Sequence, residues 1–290
     1  MKKIATLFLM ASAVFAFSSC EDLLNGDPYT SFTKSNYFTS ETNVELYANY
    51  FYNTFTGYGN SGGSGDFYFP TLNDNQAVTG LSTWTYTSVP ASSSTWSNAY
   101  TEIRRANILI EALPGIDAMT ESQKANWMGI ARLYRAWQHY KLVRAYGDCF
   151  YVDHVIDTDE QDVLYGARED RDEVMDKILE DLNYAVANIN TNASSRVAYN
   201  AAVAQAMKSE ICLYEGTFCK YRSSADGQKA ADATRANKYL AEAVTASKAI
   251  MSNSMYALND SYRANYNSLN LASNKEMILY KHYVYGVLAH

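Results

Sequence analysis

The sequence is short of several things, and each shortage closes off a class of function. Basic patches are missing: 24 lysines and arginines stand against 31 acids, a formal charge of −7. Nothing is therefore arranged to neutralise a phosphate backbone, which argues against nucleic acid as a partner. Cysteine is scarce, and beyond residue 20 only Cys149, Cys212 and Cys219 remain. An odd number cannot all pair within the chain, and the spacing fits no zinc motif. Cys212 and Cys219 sit on a helical stretch, where a seven-residue step is a rise of roughly 10 Å, beyond disulfide reach. Buried free thiols are expected. The histidines, His139, His154, His282 and His290, form no ligand motif, so neither a metal nor a cofactor is implied. Apolar runs long enough to span a bilayer comfortably are also lacking.

The longest apolar run, Ile4 to Phe17, follows Met1-Lys2-Lys3 and reads as an export signal. It ends in Phe17-Ser18-Ser19-Cys20, where small residues precede a cysteine, similar to a bacterial lipobox whose thiol is acylated and becomes the new N-terminus. Phe17 departs from the aliphatic residue usual there. Residues 1–19 are thus expected to be a signal peptide, and removing them takes away Lys2 and Lys3 and no acid, leaving 22 positive against 31 negative side chains, or −9. Cys20 is the expected lipidation site and residues 20–40 an extended tether.

From Glu41 the pattern turns helical. Val44, Leu46-Tyr47, Tyr50-Phe51 and Phe55 share one face of a first helix ended by Gly57. A second opens near Thr95 with Trp96, Ala99-Tyr100, Ile103, Asn107 and Ile110 in line, and Pro114-Gly115 closes it. The third, from about Glu121 to Tyr146, carries Ile130, Leu133, Trp137, Tyr140 and Val143, while Arg132, Arg135 and His139 lie on its other side as a solvated or salt-bridged surface. Gly147 is placed for a left-handed C-terminal cap. Residues 150–167 read as irregular or extended chain. Three further helices follow, from Asp170 to Ile189, from about Tyr199 to Tyr221, and one carrying Ala236, Tyr239-Leu240, Ala243, Ala246 and Ile250. The last four helices form two antiparallel pairs, with small and bulky residues recurring as in tetratricopeptide repeats, though without a strict 34-residue period. The fold class is therefore mainly α: irregular tetratricopeptide-like hairpins stacked as an α-solenoid. Lys275 to Tyr280 and Tyr283 to Leu288 look strand-like, a little strand at an end that reads as interrupted.

Between the first two helices lies a long insertion rich in glycine, serine and aromatics, from Tyr58 to Ser94. A long loop in a compact scaffold is more often functional than accidental. Trp84 and Tyr86, two apart, point to the same side if that piece is extended. Flat aromatics beside Asn73, Asp74 and Asn75 suit a sugar, which presents C–H faces and hydroxyl edges together. Tyr68, with Tyr58 and Phe67, is a looser candidate. Trp84 and Tyr86 serve equally well as core side chains sealing the loop on the helices, and Trp96, at the start of a helix stripe, reads as structural.

Several pieces taken together resemble the SusD/RagB family of nutrient-binding outer-membrane lipoproteins. They are the lipobox with Cys20-Glu21-Asp22-Leu23-Leu24; Trp96 and Tyr100 with Ile103-Arg104-Arg105-Ala106-Asn107; Ala131-Arg132-Leu133-Tyr134-Arg135-Ala136 leading to Leu142-Val143-Arg144-Ala145-Tyr146-Gly147-Asp148; and Arg168, Arg171, Val174, Ile178 and Leu179-Glu180-Asp181-Leu182. The resemblance spans residues 15–280. Two departures stand out: Cys149-Phe150 replaces the valine and proline usual after Tyr-Gly-Asp, and family members are far longer, so residues 41–290 resemble an N-terminal portion. The resemblance implies a lipid-anchored protein at the outer face of the outer membrane that holds a glycan and delivers it to a TonB-dependent, SusC-like transporter. The helices would form the transporter-facing scaffold and the loops would meet the sugar.

Enzymatic readings are weak. Gly59-Asn60-Ser61-Gly62-Gly63 fits Gly-x-Ser-x-Gly only formally, since a nucleophile elbow sits between a strand and a helix. Glu180 and Asp181 are adjacent on a helix and do not face one another across a cleft. Asp157-Thr158-Asp159-Glu160-Gln161-Asp162 has carboxylates for a cation but lacks the glycine and terminal glutamate of a calcium loop. The alternative to a glycan-binding lipoprotein is a helical adaptor whose loop binds a peptide and no sugar.

Overall fold

The computed structural model describes residues 34–55, 92–190 and 196–283. Cys20, Gly57, the Gly59 to Gly63 run and the sugar candidates Tyr68, Asn73, Asp74, Asn75, Trp84 and Tyr86 lie outside the described residues. The helices are α1 (Lys34–Tyr37), α2 (Glu41–Ala48), α3 (Ser94–Ala112), α4 (Glu121–Tyr146), α5 (Gln161–Tyr165), α6 (Arg171–Asn188), α7 (Ala201–Tyr221), α8 (Ala233–Met251) and α9 (Ala264–Asn267), with a 3₁₀ turn from Asn49 to Thr54 continuing α2.

Local chemistry sets the starts of the long helices. Thr120 and Gln123 form a reciprocal capping box ahead of α4. The carboxylate of Asp170 accepts from the Asp172 amide before α6, Asn200 accepts from Ala202 and Val203 before α7, and Asp232 accepts from Arg235 before α8. Gly147 ends α4 at φ 74°, ψ −109°. The positive φ calls for glycine as expected, but ψ falls outside the left-handed helical region.

Helices next to one another in sequence pack side by side: α3 on α4, α4 on α6, α6 on α7 and α7 on α8. These are tetratricopeptide-like hairpins, and two glycines allow the close pairs. A Cβ on Gly129 of α4 would meet the Ile189 side chain at 2.8 Å, and one on Gly216 of α7 would meet Leu240 of α8 at 2.7 Å. Helix α4 is central. Lying between α3 and α6, it buries Leu133, Tyr134, Ala136, Tyr140 and Leu142 together with Arg135, Gln138 and His139. The side read as a solvated or salt-bridged surface is salt-bridged, Arg132 and Arg135 both pairing with Asp181, but it is not solvated at its centre: Arg135 is 2% and His139 0% exposed. Periodicity alone missed this, because the cover is α6 and the segment after α4, and the polar groups are satisfied inside.

Of the two strand-like stretches, Lys275 to Tyr280 forms no strand, and Tyr283 to Leu288 lies, beyond Tyr283, outside the described residues, which contain no strand and one isolated β-bridge, Cys149 to Glu169. A lone strand leaves its backbone groups unpaired. Residues 275–280 are instead held as irregular chain. The Arg196 guanidinium donates to the carbonyls of Met277 and Met255, the Tyr280 amide donates to the Arg196 carbonyl at 3.0 Å, and Ile278 and Leu279 rest on the core.

Candidate functional site

The chain leaving α4 runs through residues 150–156 as a segment without helix that joins no sheet among the described residues. Its backbone hydrogen bonds go to side chains. The Tyr100 hydroxyl accepts from the Phe150 amide at 2.9 Å and donates to the Phe150 carbonyl at 3.0 Å. Glu169 accepts from Tyr151, and His139 Nε2 from Val152 at 3.1 Å. The Asn107 amide donates to the carbonyls of Val152 and His154, at 3.0 and 2.8 Å. Arg135 donates to the Asp153 carbonyl, Glu111 accepts from Val155, and Arg104 donates to the Ile156 carbonyl. Helices α3 and α4 thus do for this segment what a neighbouring strand would do in a sheet.

Beneath it lies a buried ionic group. Asp181 of α6, 0% exposed, receives a two-pronged contact from Arg135, Nε to Oδ2 at 2.8 Å and Nη2 to Oδ1 at 2.7 Å. Arg132 approaches the same carboxylate at 3.0 Å and the Tyr151 hydroxyl donates to it at 2.8 Å. The remaining Arg135 nitrogen also donates to the Asn107 side-chain oxygen. Such a pair is costly to break because removal of one member strands a buried charge. Burial, then the Asp181 charge, push the Tyr151 phenol up. Burial, then the Arg135 charge, push His139 down to about 3. Its imidazole is neutral, and because Nε2 accepts from Val152, the proton sits on Nδ1 and is donated to the Arg135 carbonyl at 3.0 Å.

Between the first half of α3 and residues 150–164 opens a cleft of about 520 Å³. Trp96, Tyr100, Phe150, Ile156, Val163 and Leu164 give it aromatic and aliphatic walls, and Arg104, His154, Asp157 and Thr158 stand among them as hydrogen-bonding groups. Trp96 is half-buried, 5.1 Å from Tyr100 and 5.1 Å from Tyr146 between ring centroids, with the Arg168 guanidinium 4.9 Å from its own centroid. It is structural, as its stripe position indicates, and it also faces the cleft. His154 is held between Asp153 at 2.9 Å and Glu160 at 2.7 Å, and those hydrogen bonds, Asp153 first, raise its pKa. Glu160 accepts as well from the Asp157 amide at 2.7 Å, which fixes the turn at the cleft's edge.

A second ionic group joins α6, α7 and α8. Arg171 bridges Asp172 and the buried Glu215, Arg222 bonds Asp172 at 2.7 Å, and Arg235 reaches Asp176 at 2.7 Å. Burial alone would raise the Asp172 carboxyl, but the Arg222 hydrogen bond and the charges of Arg235, Arg222 and Lys229 hold it at about 2. Among the described residues, Asp172, Glu215 and Cys219 form the one group of three potential metal ligands, with ligand atoms within 4.8 Å of one another. Guanidinium groups already fill the cation's place there. The acids of residues 157–162 do not converge in this way. Cys149, Cys212 and Cys219 are free and buried, and burial pushes each thiol up to about 12.

The cleft residues after α4, Phe150, His154, Ile156 and Asp157, were not legible as a site, since 150–167 reads only as extended chain. The available signal was Asn107, a polar residue within the otherwise apolar stripe of α3.

These features define a class: a helical-hairpin repeat scaffold with a preformed aromatic cleft along one flank. Residues 29–212 match the family model SusD-like, described as starch-binding and associating with the outer membrane. The chain belongs to this SusD-like family. A SusD-like protein of Formosa agariphila is 26% identical over 207 residues, covering 64% of this chain and 38% of that protein. Among solved structures, NanU of B. fragilis matches with a TM-score of 0.59 at 20% identity, covering 88% of this chain and 50% of its own. A SusD-like carbohydrate-binding protein from Bacteroides fragilis matches at 0.58 and 17% identity, covering 86% and 47%. At such identities the structural likeness shows the fold. The chain spans half or less of the length of each of these relatives. No helix among the described residues is long and apolar enough to cross a membrane.

Proposed function

We propose that this protein captures a glycan at the cell surface and passes it to a TonB-dependent, SusC-like outer-membrane transporter, without catalysing a reaction. The observation that carries the reading is the match of residues 29–212 to a family described as starch-binding and associating with the outer membrane. The cleft supports it, because aromatic and aliphatic walls with interspersed hydrogen-bonding groups suit a sugar's apolar faces and hydroxyl edges. In this reading Trp84 and Tyr86 stack on the sugar and Asn73, Asp74, Asn75 and Tyr68 bond it, alongside the walls from Trp96 to Leu164. Residues 1–19 are removed on export, and acylated Cys20 anchors the tether 20–40 to the outer membrane.

Affinity electrophoresis against soluble starch and a panel of other polysaccharides tests the proposal, comparing wild type with Trp84→Ala, Tyr86→Ala and Trp96→Ala. Retardation by at least one glycan, lost in Trp84→Ala or Tyr86→Ala, is expected. A wild-type chain that no glycan retards, yet that captures peptides, would favour a helical adaptor instead.

A further inference from the structure

We propose that Asn107 of α3 and His139 of α4 are positioning residues of the cleft: buried side chains that hold the wall formed by residues 150–156 in the shape a ligand meets. The inference rests on the cleft being the glycan site, but the wall's dependence on these residues can be read without any ligand.

A buried amide or carbonyl left unpaired costs free energy comparable to a lost hydrogen bond, so an extended segment normally pairs with another strand. Among the described residues, 150–156 have no such partner, and Phe150, Val152, His154 and Ile156 line the cleft directly. Asn107 spans the wall, its amide donating to two carbonyls two residues apart. His139 accepts the amide of Val152, the residue whose carbonyl is the first of the two. Both side chains are 0% exposed and neither lines the cleft, so a ligand does not touch them. Arg135 ties the two together, bonding Asn107, the Asp153 carbonyl and Asp181. The Asn107 side-chain oxygen is engaged by Arg135, which fixes the amide's orientation and aims its nitrogen at the wall. An arrangement in which the site's backbone is fixed by buried side chains of rigid helices is the usual requirement for a preorganised binding surface. It also gives Asn107 and Arg135 a role apart from ligand contact.

The test compares His139→Leu, which removes the acceptor, with His139→Gln, whose amide oxygen can take the place of Nε2. Hydrogen–deuterium exchange is followed by mass spectrometry and soluble starch is the binding probe. The expected result is exchange on the order of tenfold faster in peptides covering 150–156 of His139→Leu, with α3, α4 and α6 unchanged, and restoration in His139→Gln. Starch retardation should weaken and recover in parallel. Should His139→Leu not fold, Asn107→Asp keeps the side chain's size and its oxygen for Arg135 but removes the donor to the Val152 and His154 carbonyls, and the same local rise in exchange over 150–156 is expected. Exchange over 150–156 that stays at the wild-type rate, or that rises uniformly over all helices, would overturn the proposal. If starch and the other glycans fail to retard the wild type, the glycan reading falls while the exchange data still decide whether the wall is held in this way.

Discussion

His139 makes the protein acid-sensitive in a way that can be calculated. In the folded chain the imidazole stays neutral down to about pH 3, because burial and the Arg135 charge oppose its protonation. In the unfolded chain it takes up a proton near its ordinary value of about 6.5. Between these values the unfolded state binds more protons, so stability falls as the pH is lowered. Going from pH 7 to pH 4.5 crosses about two units of that window, and at roughly 1.36 kcal/mol per unit the loss from this one group is about 2.7 kcal/mol. The figure depends little on where the folded value lies, since pH 4.5 is above it. Carboxylates such as Asp172 titrate as well, so the comparison must be differential. His139→Gln keeps an acceptor for Val152 and cannot titrate, and the carboxylate contributions cancel between the two proteins. Urea unfolding at both pH values should show the wild type losing about 2.7 kcal/mol more than the variant. Equal losses would refute the neutral, buried imidazole and the hydrogen bond it accepts.

Asp181→Ala should destabilise the chain by about 3–5 kcal/mol, because Arg135 is left as a buried charge; an urea midpoint close to wild type would contradict this. Gly216→Ala should cost about 1–3 kcal/mol by thermal or urea unfolding, as its Cβ meets Leu240 at 2.7 Å and forces α7 from α8. Cys20→Ala should move the protein from the membrane fraction to the soluble one, and mass spectrometry of the wild type should find acylated Cys20; an unmodified, soluble wild type would remove the lipid anchor from the account.

How far the sequence could be read differs between fold and site. The bounds of α4 follow from its own residues, because Thr120 and Gln123 cap it and glycine follows Tyr146. The helical hairpins follow from apolar spacing and from recurring small residues, while the close approaches at Gly129 and Gly216 emerge only from the structure. The salt-bridged character of the Arg135 face was legible but the burial of Arg135 and His139 was not, because periodicity assigns a polar residue to the surface, whereas here Asp181, forty-six residues on, makes burial possible. The apparent strand at 275–280 failed for the converse reason: its local preference is real, but no second strand exists among the described residues to pair with it, and the Arg196 guanidinium takes the Met277 carbonyl instead. The cleft was hidden because its wall gains its shape from side chains of two other helices, a relation that no local pattern in 150–156 displays. Trp84 and Tyr86 stand on sequence alone.

The most direct test of the central claim is hydrogen exchange of the wild-type chain with and without whichever glycan retards it in affinity electrophoresis, beginning with soluble starch. The account predicts added protection in residues 150–164 and the first turns of α3, around the cleft from Trp96 to Leu164. Protection confined to α7 and α8, or none at a saturating glycan concentration, would contradict it.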